Sequence, residues 1–180
     1  MIDQSYCSEN ITSRLPDALH SVHLRVMQPG DKSAIMAILG STPEFKPSEI
    51  IVAEEVIGCF LNLGFASGYR VWVAVEGTDN IIGYLCFGQT PLTEGTWDIY
   101  WIAVVGTWRG RGVGRALLQH AEGEIRDGGG RMVLVETSSK PGYQQARMFY
   151  GRMGYQPVSV ITDFYAPGDS KLTLQKLLLF

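Results

Sequence analysis

The chain has 180 residues, 46% of them hydrophobic and 18% charged, with a formal net charge of −3. That length favours one domain, the apolar share is ample for a core, and the sequence is too apolar for a disordered chain. No long run of one sign is present to neutralise phosphates, which excludes general nucleic-acid binding, and mild acidity suits a cationic substrate.

The opening MIDQSYCSEN has no basic stretch leading into an apolar one, so no secretory signal is expected. No apolar run is read as approaching the roughly 18 residues of a membrane span, so no membrane partner is expected. Cys7, Cys59 and Cys86 are odd in number, widely spaced and outside any metal-ligand pattern. They read as reduced thiols of a cytoplasmic protein. His20 and His23 lack a helix or third ligand, and His120 stands alone, so no metal is expected.

Residues 1–20 are polar and unpatterned and read as an N-terminal extension, with one domain over 21–180. In SVHLRVM, Val22, Leu24 and Val26 alternate with polar neighbours, as in a strand. A helix follows in PGDKSAIMAILG, with Asp31 as its N-cap and Ile35, Ile38 and Leu39 at helical spacing. After STPEFKPSE a second helix is expected, its face read from Ile51, Val52, Glu55 and Val56.

From Tyr69 the period changes to two. YRVWVAVE and IIGYLCFGQ flank the turn GTDN and read as an antiparallel hairpin, and TWDIYWIAVV as a third strand. TWRGRGVGRALLQHAEGEIRDGGG reads as a loop and then a helix with Val113, Ala116, Leu117, Ala121 and Ile125 on one face. Gly128, Gly129 and Gly130 end it, because glycine suits the left-handed position after a helix. RMVLVETS is a buried strand, QQARMFYGRMG a helix, and YQPVSVITDFY and KLTLQKLLL two closing strands. The order βααβββαβαββ predicts an α/β (α+β) domain.

Arg109-Gly110-Arg111-Gly112-Val113-Gly114 follows an apolar strand and opens an amphipathic helix. Glycines let ligand oxygens approach the backbone, and the free N–H groups and dipole of a helix start favour an anion. Arg109, Arg111 and Arg115 add positive charge. Such a segment reads equally as a glycine-rich turn with arginines in solvent. A dinucleotide fold would need a third glycine where Leu117 stands, and a P-loop would need Gly-Lys-Ser/Thr.

The run IYWIAVVGTWRGRGVGRALL, then LVETS, then ARMFYGRMGY, resembles the GNAT superfamily of acyl-CoA-dependent N-acetyltransferases across roughly residues 22–178. The resemblance implies a central mixed, mostly antiparallel sheet of six to seven strands flanked by about four helices. It implies acetyl-CoA as cosubstrate, its diphosphate on the backbone of Arg109, Gly110, Arg111, Gly112, Val113, Gly114 and Arg115. The pantetheine arm would pair with the backbone of Ile102, Ala103 and Val104. A homodimer is a further expectation, since many members of the family dimerise.

Amine acetylation needs a neutral amine, a polarised thioester and a proton for the leaving thiolate. By resemblance, Tyr150 is the proton donor, against a reading as a core tyrosine. Two carboxylates compete as base: Asp98, at the strand position of a catalytic glutamate in histone-type members, and Glu136, which resembles one in ribosomal-protein N-terminal acetyltransferases. Asp163, Tyr165 and Asp169, around the turn APGDS, are expected to line the acceptor site, with Glu44 and Glu49 beside it. Cys59 and Cys86 have no neighbouring catalytic histidine, so direct transfer to an amine-bearing small molecule or a protein amine is expected over a cysteine acyl-enzyme. The alternative is an acyl-CoA-binding regulatory module that has kept this fold without turnover.

Overall fold

The computed structural model describes residues 21–178; the extension 1–20, with Cys7 and His20, lies outside the described residues. The elements follow the expected order. They are β1 (Val22–Val26), α1 (Lys32–Gly40), α2 (Pro47–Leu63), β2 (Tyr69–Glu76), β3 (Asn80–Gln89) and β4 (Thr96–Val104). Then come α3 (Val113–Asp127), β5 (Met132–Ser138), α4 (Gln144–Arg152), β6 (Gln156–Ala166) and β7 (Asp169–Leu177). The strands form one seven-stranded sheet in the order β1-β2-β3-β4-β5-β7-β6. Only β4 and β5 run parallel; the other described pairs are antiparallel.

Period-two alternation sends side chains to both faces, and each face carries its own apolar cluster. From β2, Val71, Val73 and Val75 pack with Ile35, Leu39, Ile57 and Phe60 of α1 and α2. Ala74 of the same strand joins Leu117, Ala121 and Ile125 of α3 and Tyr150 of α4 on the other face.

Three sequence expectations change. Asp31 does not cap α1: its carboxylate accepts from the Arg25 guanidinium at 2.6 and 2.9 Å and from the Gln28 N–H at 2.7 Å. It therefore ties β1 to the turn before the helix. In α2 the packed face is Ala53, Ile57 and Phe60, whereas Ile51 is 59% and Val52 48% exposed. This helix is apolar on most sides, so periodicity did not single out the face that meets the sheet. With the turn after it, the stretch Pro47–Ser67 has a mean hydropathy of 1.6 over 18 residues. An apolar run of membrane-spanning length is thus present, contrary to the sequence reading, although here one side of it packs on the sheet.

One irregularity opens the sheet. Cys86 pairs with Trp101 and Phe87 with Ile99, leaving Tyr100 as an extra residue in β4. Such a bulge bends its strand. On its other side β4 pairs with β5 only from Thr96–Ile99 to Met132–Val135. Beyond Ile99 the two strands separate, and a wedge opens between them.

Closure of α3 onto β5 depends on Gly130. A Cβ there would press on the Ile125 side chain and lie 2.8 Å from both the Ile125 carbonyl oxygen and Trp97 Nε1. Gly130→Ala should therefore destabilise the fold by about 1–3 kcal/mol, the usual cost of overpacking. Urea denaturation would measure it, and an unchanged midpoint would show that the turn relaxes freely.

Candidate active site

The wedge between β4 and β5 is a cavity of about 420 Å³. Its walls come from the end of β4, the glycine loop, the start of α2 with the residues before it, the end of β5, α4 and Tyr165 of β6.

At one end lies the glycine loop. Gly110 and Gly112 have φ of 74° and 97°, in the left-handed region that side chains disfavour. Gly112 caps α3 and its carbonyl accepts from the Ala116 N–H at 2.9 Å. The N–H groups of Val113, Gly114 and Arg115 precede that first helical bond and have no partner within the helix. A Cβ on Gly114 would touch the Phe149 ring and Val104 at 3.7 Å, ordinary contact distance, so packing does not demand glycine there. What the missing side chain leaves is cavity surface. A diphosphate fits this cradle: bare backbone, a helix start, and the Arg109 and Arg115 side chains on the same wall.

Of the residues expected at the cofactor, Ile102, Ala103, Val104, Arg109, Gly110, Gly112, Gly114 and Arg115 line the cavity. Two side chains do not. Arg111 stacks over the Trp108 ring at 5.1 Å, and Val113 is buried in the core. Their contribution to the loop is backbone.

Midway along the wedge stands Tyr150. Its ring packs edge-on against Phe149 and Tyr155, at centroid distances of 5.2 and 5.5 Å. Burial pushes its phenol well above the ordinary value, so the proton stays on oxygen at neutral pH.

The far end is acidic and aromatic. Glu136 lines it, half-exposed, with the Lys171 ammonium donating to Oε1 at 2.8 Å. Tyr165 faces it, with Lys46 Nζ 5.7 Å from the ring centroid. Burial, then Glu136, Glu49 and Asp169, push the Tyr165 phenol up. Glu49 accepts from the Lys46 N–H at 2.7 Å, a contact that also starts α2. Glu44 lines the wall, but its carboxylate faces Arg109 at 3.3 Å.

Three expected residues stand elsewhere. Asp98 does not line the cavity; the Thr90 hydroxyl donates to it beside β4. Burial pushes its carboxyl up, the Thr90 hydrogen bond opposes this, and Glu136 adds to the rise. Asp163 points to its own hairpin, where Oδ1 accepts from the Gly168 N–H at 2.8 Å at a backbone φ of 54°. Asp169 has no exposed surface. The Ser138 hydroxyl donates to it, and Lys46 and Lys140 each lie 3.6 Å away. It braces β5 against β7 beneath the site.

Sequence reading missed Tyr143. It sits in the turn before α4, donates its hydroxyl to the Glu44 carbonyl, and lies 3.4 Å from Glu49. Burial, then Glu49, push its phenol up to about 12. The Pro-Gly before it signalled only a turn; its partners are remote in sequence.

The acetyltransferase (GNAT) domain profile matches residues 67–157. The chain belongs to the GNAT acetyltransferase family. A GNAT-family structure from Desulfovibrio desulfuricans is 38% identical, with a TM-score of 0.84 over 88% of this chain and 99% of that one. The GNAT fold is shared with an aminoglycoside 6'-N-acetyltransferase complexed with coenzyme A, at 17% identity and a TM-score of 0.67 over 87% of this chain and 97% of that one. A Mycobacterium leprae protein is 30% identical over 117 residues, 62% of this GNAT chain; the chain spans 30% of that protein's length.

The buried Asp169 gives a pH test. The Ser138 hydrogen bond holds its carboxyl below the usual range, against the cost of burial, with Lys140 and Lys46 helping. A lowered value stabilises the fold fully above the unfolded value near 4, and that stability is lost as pH falls through the folded value. Asp169→Asn should lower the urea midpoint at neutral pH and make it fall less steeply between about pH 5 and pH 2. Parallel pH curves for the two proteins would show that the Asp169 carboxyl titrates alike in the folded and unfolded chains.

Proposed function

We propose that this chain transfers an acetyl group from acetyl-CoA to a primary amine, directly, within a ternary complex. The observation that carries this reading is the wedge itself. One cavity joins a diphosphate-fitting glycine cradle to an acidic mouth, with a protonated tyrosine between. When bound, acetyl-CoA supplies a thioester whose acyl carbon accepts the amine and whose thiolate leaves.

The chain's own residues would do the rest. The cradle and the free edge of β4 beyond Ile99 would bind and orient the cosubstrate. Glu136 would take the proton from the incoming ammonium, directly or through water, because only a neutral amine has a lone pair to form the C–N bond. Tyr150 would give its hydroxyl proton to sulfur as the C–S bond breaks. Glu136 is favoured over Asp98 because it lines the cavity and Asp98 does not. Tyr165 and Tyr143, with Glu49 in the first turn of α2, would offer an alkylammonium aromatic rings and a carboxylate. The regulatory-module reading finds less support, since Tyr150 and Glu136 both reach the cavity.

Thiol release from acetyl-CoA with a panel of amines, and mass spectrometry of the products, tests the reading; no acetylated amine from any class would sink it. Tyr150→Phe should lower turnover about 100-fold, the low end for a lost general acid, because a CoA thiol already leaves fairly well. Acetyl-CoA affinity and melting temperature should barely move. Full turnover in this variant, with chemistry rate-limiting, would make Tyr150 structural.

Glu136→Gln should also lose turnover, and the loss should shrink as pH rises toward about 10, where the amine deprotonates unaided. A wild-type to variant ratio that stays flat with pH would remove Glu136 as the base.

A further inference from the structure

Arg109 is held at two points. Its Nε donates to the Val104 carbonyl at 3.2 Å, which fixes the side chain at the end of β4. Its two terminal nitrogens face the two carboxylate oxygens of Glu44 at 3.3 and 3.4 Å. These contacts are longer than the roughly 2.7–2.9 Å of a tight charge-assisted bond. Both side chains are also partly exposed, Arg109 at 39% and Glu44 at 24%. The pair is therefore weak and exchangeable.

Glu44 is nonetheless fixed in place. The Tyr143 hydroxyl donates to its backbone carbonyl from the turn before α4. The backbone that carries its carboxylate is thereby tied to the turn before α4 and stays beside the cradle when Arg109 is drawn elsewhere. All three residues line the cavity that holds the glycine cradle. A carboxylate of the chain thus sits on an arginine of the cradle, where a bound diphosphate would compete for the same guanidinium.

We propose that Glu44, its backbone anchored beside Arg109 by Tyr143, is a built-in competitor of the cosubstrate's diphosphate, and that it weakens the grip of the cradle on CoA. This rests on the acetyl-CoA reading above. Binding has to move Arg109 from carboxylate to diphosphate. A carboxylate carried on this anchored backbone remains within reach of the bound phosphates as a like charge. The device loosens substrate and product alike, and it favours release of CoA after transfer. Glu44 was expected at the acceptor; this inference assigns it to the cosubstrate.

The test is calorimetric titration of the wild-type chain and Glu44→Gln with acetyl-CoA, CoA and S-acetylpantetheine, the last lacking the diphosphate. Glu44→Gln should bind acetyl-CoA and CoA about two- to fivefold tighter, the scale of a lost exposed ion pair. S-acetylpantetheine affinity should not change, and Glu44→Ala should shift CoA affinity in the same direction. In an Arg109→Gln background the gain should shrink. Unchanged or weaker acetyl-CoA binding by both folded Glu44 variants would overturn this inference alone, as would an equal gain for S-acetylpantetheine. Absence of acetyl-CoA binding by the wild-type chain would overturn the proposed function and this inference together.

Discussion

Everything at this site follows from the failure of β4 and β5 to stay together. A parallel pair buried between helix layers would ordinarily run its full length, because each unpaired N–H or carbonyl left in the core costs free energy. Here pairing stops at Ile99 and Val135. The extra residue Tyr100 bends β4 at the point where the ladder ends. The strand therefore presents a free backbone edge to the cavity, and the apolar walls around it are the two cores seen from the side. The sheet remains intact at its base, so the opening is a notch in a rigid frame rather than a gap between mobile parts.

Charge around the notch is arranged in pairs that already satisfy one another. Lys171 faces Glu136, Arg109 faces Glu44, and Lys46 and Lys140 face the buried Asp169. This explains how a small cavity can hold several ionised groups without paying the full cost of burying each.

Local chemistry made much of this legible in the sequence. The glycine loop was readable because left-handed backbone at Gly110 and Gly112 favours residues without a Cβ. Strands β2 and β3 were readable because their two faces meet different cores. What stayed hidden depends on contacts between distant segments. Tyr143 finds its partner Glu44 across the wedge, and nothing in PGYQQ announces it. Asp98 and Glu136 looked equivalent as acids on neighbouring strands; which one reaches the cavity is set by the bulge at Tyr100 and the departure of β5. Asp163 and Asp169 looked like acceptor residues because they flank a turn near the mouth, but backbone hydrogen bonding and burial claim them. Both faces of α2 are apolar, so the packing face was a tertiary fact.

The last strand has a bearing on motion. Along β6 every residue except Ala166 is exposed, and its ladder to β7 is interrupted twice, between Pro157 and Ser159 and between Ile161 and Ala166. Among the described residues no helix covers either side of it and no strand pairs with its outer edge. Local opening free energies follow burial and protected hydrogen bonds. β6 is therefore the strand whose amide protons exchange with solvent ahead of the core strands. Because Tyr165 rides on it, that wall of the cavity can breathe on its own while the glycine loop, anchored on α3, stays still. A cavity that is firm at one end and loose along one side can change its width there without disturbing the loop at the other end.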